Sequence, residues 1–120
     1  MNTSLLGRWG EAKALEYLKR KGFLPVAAGY RTRFGEIDLI VRNKKYVVFA
    51  EVKLRKSARF ANALEFVDAH KQERLRKTAL IWLSGHETAL QPRFDVLEVY
   101  APEGMDTKFP EINHIENAFE

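Results

Sequence analysis

Cysteine is absent from the 120 residues, which excludes disulfides and thiolate metal sites. With no cysteine, the redox compartment stays open. No apolar run approaches the roughly 20 residues that cross a bilayer. No basic segment followed by a long apolar one opens the chain, so a signal peptide is not expected and the cytoplasm is the default location. Internal repeats and low-complexity stretches are also missing. What remains is 46% hydrophobic and 30% charged, an ordinary globular balance. A core of useful size needs no metal or disulfide staples at this length. One compact domain over residues 1–120 is expected.

Charge is unevenly spread. The whole chain carries a net +4. Residues 1–100 hold 19 basic and 11 acidic side chains, a net +8, while residues 101–120 hold one basic and five acidic ones, a net −4. A basic body suits a polyanion such as nucleic acid. Solubility alone would explain the same excess.

Periodicity and breakers give the element order. A helical pattern runs from Ser4 to Lys21, with Gly22 placed as its stop. Phe23 to Arg31 reads as a strand with Pro25 near its start. Glu36 to Arg42 and Tyr46 to Leu54 read as two strands joined by Asn43-Lys44-Lys45, the grammar of a hairpin. A basic loop spans Arg55 to Asn62. A second helix starts at Ala63 or Asp68 and runs to Leu83, with Ser84-Gly85 closing it. Pro92 to Tyr100 and Ile112 to Phe119 complete the strands. The order α-β-β-β-α-β-β implies one mixed sheet flanked by helices, an α/β fold.

The chemistry concentrates in the hairpin. Residues two apart in a strand share a face. Glu36, Asp38 and Ile40 therefore share one face with Val47, Phe49, Glu51 and Lys53 of the next strand. Ile37, Leu39, Val41, Val48, Ala50, Val52 and Leu54 form an apolar opposite face. A two-residue turn pairs Arg42 with Lys45 and makes Glu51 a diagonal neighbour of Asp38, roughly 7–8 Å away. A four-residue turn sets Asp38 directly opposite Glu51. An odd-length turn without a bulge breaks the arrangement. Carboxylates on so apolar a sheet are costly unless paired or metal-bound. Two converging carboxylates suit magnesium or manganese. A lysine two residues from one of them can activate water and offset phosphate charge. A structural salt bridge from Lys53 to Glu51 or Asp38 is the plainer alternative.

The helices add two candidates. Gly7, Glu11, Ala14, Leu15 and Leu18 form one stripe, so Glu11 is a lone acid aimed at the sheet. Lys71, Leu75, Thr78, Ala79 and Trp82 form another, and Lys71 is expected to pack its stem and send its head to solvent. Arg31 and Arg33 precede the hairpin, and Lys53, Arg55, Lys56 and Arg59 follow it. These clusters could hold phosphates on either side of a scissile bond. Arg74, Arg76 and Lys77 read as the exposed face of the second helix. His70, His86 and His114 show no ligand spacing and read as structural or surface residues. Tyr17, Tyr30 and Phe60 could stack on bases, with core packing favoured for the first two.

Three segments together resemble the small bacterial YraN-like family. They are Gly7-Arg8-Trp9-Gly10-Glu11, Tyr30-Arg31-Thr32-Arg33-Phe34-Gly35-Glu36-Ile37-Asp38-Leu39-Ile40 and Phe49-Ala50-Glu51-Val52-Lys53-Leu54-Arg55. His70-Lys71-Gln72 and Ile112 to Phe119 fit it too. That family is similar to archaeal Holliday-junction resolvases within the restriction endonuclease-like, or PD-(D/E)XK, fold. The resemblance implies a magnesium- or manganese-dependent nuclease acting on nucleic acid, DNA in the first place and branched DNA in particular. Asp38 and Glu51 would bind the metal, with the Val52 carbonyl as a further ligand. Lys53 would position or activate water, and Glu11 would complete the site. Arg31, Arg33, Arg55, Lys56, Arg59 and Lys71 are the nucleic-acid contacts to expect. A homodimer follows from the resolvase likeness, since two strands must be cut. A nucleic-acid-binding protein without turnover and a protein-interaction module are the rival readings.

Overall fold

The computed structural model describes residues 4–57 and 67–120. Helix α1 spans Leu5–Arg20. Ser4 caps its start, its Oγ accepting the Gly7 N–H at 2.9 Å. At the far end Gly22 takes φ +95°, a conformation that disfavours any side chain. The Phe23 and Gly22 N–H groups return to the Leu18 and Lys19 carbonyls, each at 3.0 Å, closing a Schellman turn. The predicted stop is therefore real, and it holds Phe23 in the cap, so the first strand starts one residue later than expected.

Strands β1 (Leu24–Thr32), β2 (Gly35–Arg42) and β3 (Tyr46–Arg55) follow, then helix α2 (Ala69–Gly85), strand β4 (Gln91–Tyr100), a short 3₁₀ turn at Gly104–Asp106, and strand β5 (Glu111–Phe119). They form one five-stranded sheet in the order β1-β2-β3-β4-β5. Only β3 and β4 run parallel, across the α2 crossover; the other neighbours are antiparallel. This is the mixed, helix-flanked α/β sheet expected from the element order. Asp68, whose Oδ1 accepts the Lys71 N–H at 2.8 Å, caps α2, so of the two predicted starts the later one holds. Pro25 lies on the edge strand, where the register shifts between Pro25 and Ala27.

Two apolar clusters line the sheet. On the α1 side Ala14 and Leu18 pack with Leu39, Val41, Val48, Ala50, Leu97 and Val99. Gly10 lets the helix come this close, since a Cβ there would stand 2.8 Å from a Leu54 methyl. On the α2 side Leu75, Ala79 and Trp82 pack with Ile40, Val47, Phe49 and Val96. Ile37 also belongs to the α2-side cluster, whereas strict alternation puts it with Leu39 and Val41. The β2–β3 ladder ends at Leu39, two residues away, and the opening beyond it makes the site.

Candidate functional site

The β2–β3 connection uses the four-residue option. Arg42 faces Val47, and the ladder runs through Val41↔Val48 and Ile40↔Phe49 to Leu39↔Ala50. Asn43 ties the turn: its N–H donates to the Tyr46 carbonyl at 3.0 Å, and its Oδ1 accepts the Lys45 and Tyr46 N–H groups at 2.9 and 2.7 Å. In this register Asp38 and Glu51 are the next facing pair. The ladder ends before them, although β2 continues to pair with β1 as far as Gly35 and β3 with β4 as far as Arg55. Asp38 Oδ2 accepts the Val52 N–H at 2.8 Å, so a side chain replaces the backbone acceptor β2 would have supplied.

Three acids meet in the opening. Glu51 is buried, and Asp38 and Glu11 are half-buried. Burial, then the charge of Glu51, pushes the Asp38 pKa up to about 8; the Val52 N–H opposes the rise and Glu11 adds to it. Burial also raises Glu11, helped by the charges of Glu36 and Glu51 and opposed by its hydrogen bond with Asp38. Glu51 thus disfavours the ionised forms of both other acids, and Glu11 that of Asp38. This is an arrangement that folding alone does not reward.

Two lysines answer this charge from the α2 side. Lys53 Nζ lies 3.4 Å from Glu51 Oε2, and Lys71 Nζ makes an ion pair with the same oxygen. The Lys71 head therefore turns inward to Glu51, not outward to solvent as the helical stripe led us to expect. A buried carboxylate is a stronger attractor than water is for a long, flexible ammonium. Burial lowers the Lys53 pKa, and contact with Lys71 lowers it further against the pull of Glu51. Burial works against the Lys71 ammonium too, but Glu51, Lys53 and Asp38 outweigh it and hold its pKa above the ordinary value.

Asp38, Glu51 and Lys71 open onto a cleft of about 580 Å³. Its walls are the end of β1 and the β1–β2 turn, carrying Arg31 and Arg33, and the first turns of α2, carrying His70 and Arg74. The turn is pinned to the helix: Arg74 Nε donates to the Phe34 carbonyl at 2.8 Å, and the Thr32 and Thr78 hydroxyls lie 3.2 Å apart. Arg31 pairs with Glu36 at 3.2 Å, and Arg33 stacks on Phe34 with its guanidinium 4.8 Å from the ring. Arg74 is exposed, as expected, and also forms part of the cleft wall.

The remaining basic candidates separate. Lys56 is exposed, whereas Arg55 turns into the fold, its Nε 3.5 Å from buried Glu98. Glu98 Oε1 also accepts from the Tyr100 hydroxyl at 2.8 Å and from Asn113 Nδ2 at 2.9 Å. Glu98 escapes a sequence reading because only the parallel register sets it beside Lys53. Arg59 and Phe60 lie outside the described residues. The histidines divide as expected: His86 stacks on Trp82, His114 binds Asp95, and His70 is exposed. Tyr17 packs edge-on against His114, and Tyr30 packs on the α2-side core.

Among the described residues, no three His, Cys, Asp or Glu side chains form a ready-made metal cage. Asp38 and Glu51 nonetheless offer the all-oxygen donor set of magnesium or manganese, ions that take one or two carboxylates and keep several waters. Their mutual repulsion would be relieved by such a cation, so the residues present fit one. No helix among the described residues is long and apolar enough to cross a membrane.

The model of the uncharacterised protein family UPF0102 matches residues 10–99. A UPF0102 protein of Caldanaerobacter subterraneus subsp. tengcongensis is 40% identical over 99% of this chain and 98% of its own length. Another, from Alkaliphilus oremlandii, is 41% identical over 95% of this chain and 97% of its own. One from Caldicellulosiruptor saccharolyticus is 36% identical over 99% and 100%.

Proposed function

The chain belongs to the YraN-like family UPF0102, and from that premise and its acid centre we propose a metal-dependent nuclease that hydrolyses nucleic-acid phosphodiesters. The carrying observation is that half-buried Asp38 and buried Glu51 stand just past the end of the β2–β3 ladder and line a basic cleft. Asp38 and Glu51 would hold magnesium or manganese, with the Val52 carbonyl as a further ligand and Glu11 behind Asp38. When bound, the ion would polarise the scissile phosphate and lower the pKa of a nearby water. Lys53, on the β3 face beside Glu51, would orient that water and offset developing charge. Arg31, Arg33 and Arg74 would seat the phosphates and fix the register of the strand.

The fold resemblance favours DNA, branched DNA in particular. A cleavage panel tests the reading: single-stranded, duplex, flapped and four-way DNA with magnesium or manganese, against Asp38→Asn and Glu51→Gln. Cleavage by the native protein that both variants lose supports the nuclease. A second reading, a nucleic-acid-binding protein without turnover, draws on the two ammonium groups already on Glu51. Tight binding to the panel with no cleavage of any member would establish it and sink the enzyme.

A further inference from the structure

Glu51 Oε2 carries two cations, and they are not equivalent. Lys53 sits two residues away on the same strand, with 20% of its side chain exposed. Lys71 comes from another element, has 39% of its side chain exposed, and lines the open cleft. It is the third residue of α2, where the helix dipole disfavours a positive charge. Nothing in α2 therefore holds that ammonium; Glu51 does. The backbone at Lys71 is secured separately by the Asp68 cap, so the side chain can leave Glu51 while the helix stays intact.

A divalent cation on the same oxygen would repel both ammonium groups at close range. The more exposed group moves more readily, and Lys71 already lines the cleft together with His70 and Arg74. We propose that Lys71 is a latch: it occupies Glu51 in the metal-free protein, is displaced when a divalent cation binds, and then becomes a phosphate contact in the cleft. The latch rests on the metal-centre reading. Lys71 would then be available to phosphate only in the metal-loaded protein. It would also keep Glu51 paired whenever the cation is absent.

Calorimetric titration of Mn²⁺ into the chelator-treated full chain tests this, with Lys71→Met and Lys53→Met as variants. Lys71→Met should bind Mn²⁺ roughly tenfold more tightly than the native protein, since its competitor is gone. Lys53→Met should show the smaller gain. In the native protein, brief acetic anhydride labelling read by mass spectrometry should show Lys71 becoming severalfold more reactive on saturation with Mn²⁺. This second measurement stands even if a variant misfolds. Equal or weaker Mn²⁺ binding by folded Lys71→Met overturns the latch and leaves the metal centre standing, as does unchanged Lys71 labelling at saturation. Absence of Mn²⁺ binding in the native protein and in both variants overturns the latch and the metal centre together.

Discussion

Asp95 on β4 and Asp38 on β2 are both aspartates set in a hydrophobic sheet, yet their surroundings are opposite. Asp95 accepts Arg93 Nε and Nη2 at 2.9 and 2.8 Å, lies 2.7 Å from His114 Nε2, and accepts the Asn117 N–H at 3.0 Å. Burial alone would raise its pKa, but His114, Arg93 and Asn117 together hold it below the usual carboxylate range. Asp38 has one N–H donor and two acidic neighbours, and its pKa is pushed up to about 8. A satisfied buried charge ties strands together. An acid placed among acids makes sense when a cation is to join it.

The comparison breaks first at Asp95. Asp95→Ala should cost about 3–5 kcal/mol, because Arg93, whose side chain is 10% exposed, would lose its bidentate partner. Urea denaturation at neutral pH measures this, and Mn²⁺ binding should be unchanged in the folded fraction. A loss below about 1 kcal/mol would place Asp95 among ordinary surface ion pairs and remove the contrast.

Lys53 sharpens the other side. Had it been the sole partner of Glu51, its removal would have left a buried carboxylate alone. Lys71 remains on that carboxylate, so Lys53→Ala should change stability by less than about 1 kcal/mol. Cleavage should fall about 100-fold, the scale of one lost transition-state stabiliser. Unfolding and single-turnover cleavage on the same variant decide the point. A large stability loss with cleavage intact would make Lys53 structural.

How much of this was legible in the sequence follows from what each feature depends on. The shared face of Asp38, Glu51 and Lys53 needs only strand periodicity and an even-length turn, and Asn43 supplies the turn chemistry. The Gly22 stop is equally local. The stripe on α1 aims Glu11 at the sheet, and in the structure Glu11 and Asp38 are close enough to shift each other's ionisation. What could not be read depends on how elements meet. Ile37 packs on the α2 side, against the alternation, just beyond the end of the β2–β3 ladder at Leu39. Lys71 reaches Glu51, and Arg55 reaches Glu98, only because α2 and β4 are docked where they are.

Asp38→Asn should show the opposite sign from Asp95→Ala. A carboxyl whose pKa is raised on folding binds its proton more tightly in the native state. Its stabilising contribution is therefore present below the unfolded value near 4 and is lost as pH rises toward about 8. Asparagine cannot ionise and escapes that loss. In a metal-free buffer the variant should exceed the native protein by about 1–2 kcal/mol at pH 8 and by much less at pH 5. Saturating Mn²⁺ should reverse the order, since only the native pair binds the ion well. Denaturation of both proteins at both pH values, with and without Mn²⁺, gives four differences in stability. A variant no more stable than the native protein at pH 8 without metal would mean that Asp38 carries no such strain.

The smallest effect separates two arginines by the same logic of satisfied and available charge. Arg33 is exposed on the cleft wall, whereas the Arg55 guanidinium is turned to buried Glu98. Each phosphate contact releases counterions and adds about 0.9 to the slope of log affinity against log salt on duplex DNA. Arg33→Ala should therefore flatten that slope by about 0.9 while leaving the melting temperature nearly unchanged. Arg55→Ala should leave the slope alone and lower the melting temperature, because Glu98 would lose its buried cation. Fluorescence anisotropy at several salt concentrations, paired with thermal unfolding, reads both quantities. Interchanged outcomes would mean that Arg55 faces the nucleic acid and that the basic surface lies at the end of β3. Equal slopes in all three proteins would remove Arg33 and Arg55 alike from the phosphate-binding surface.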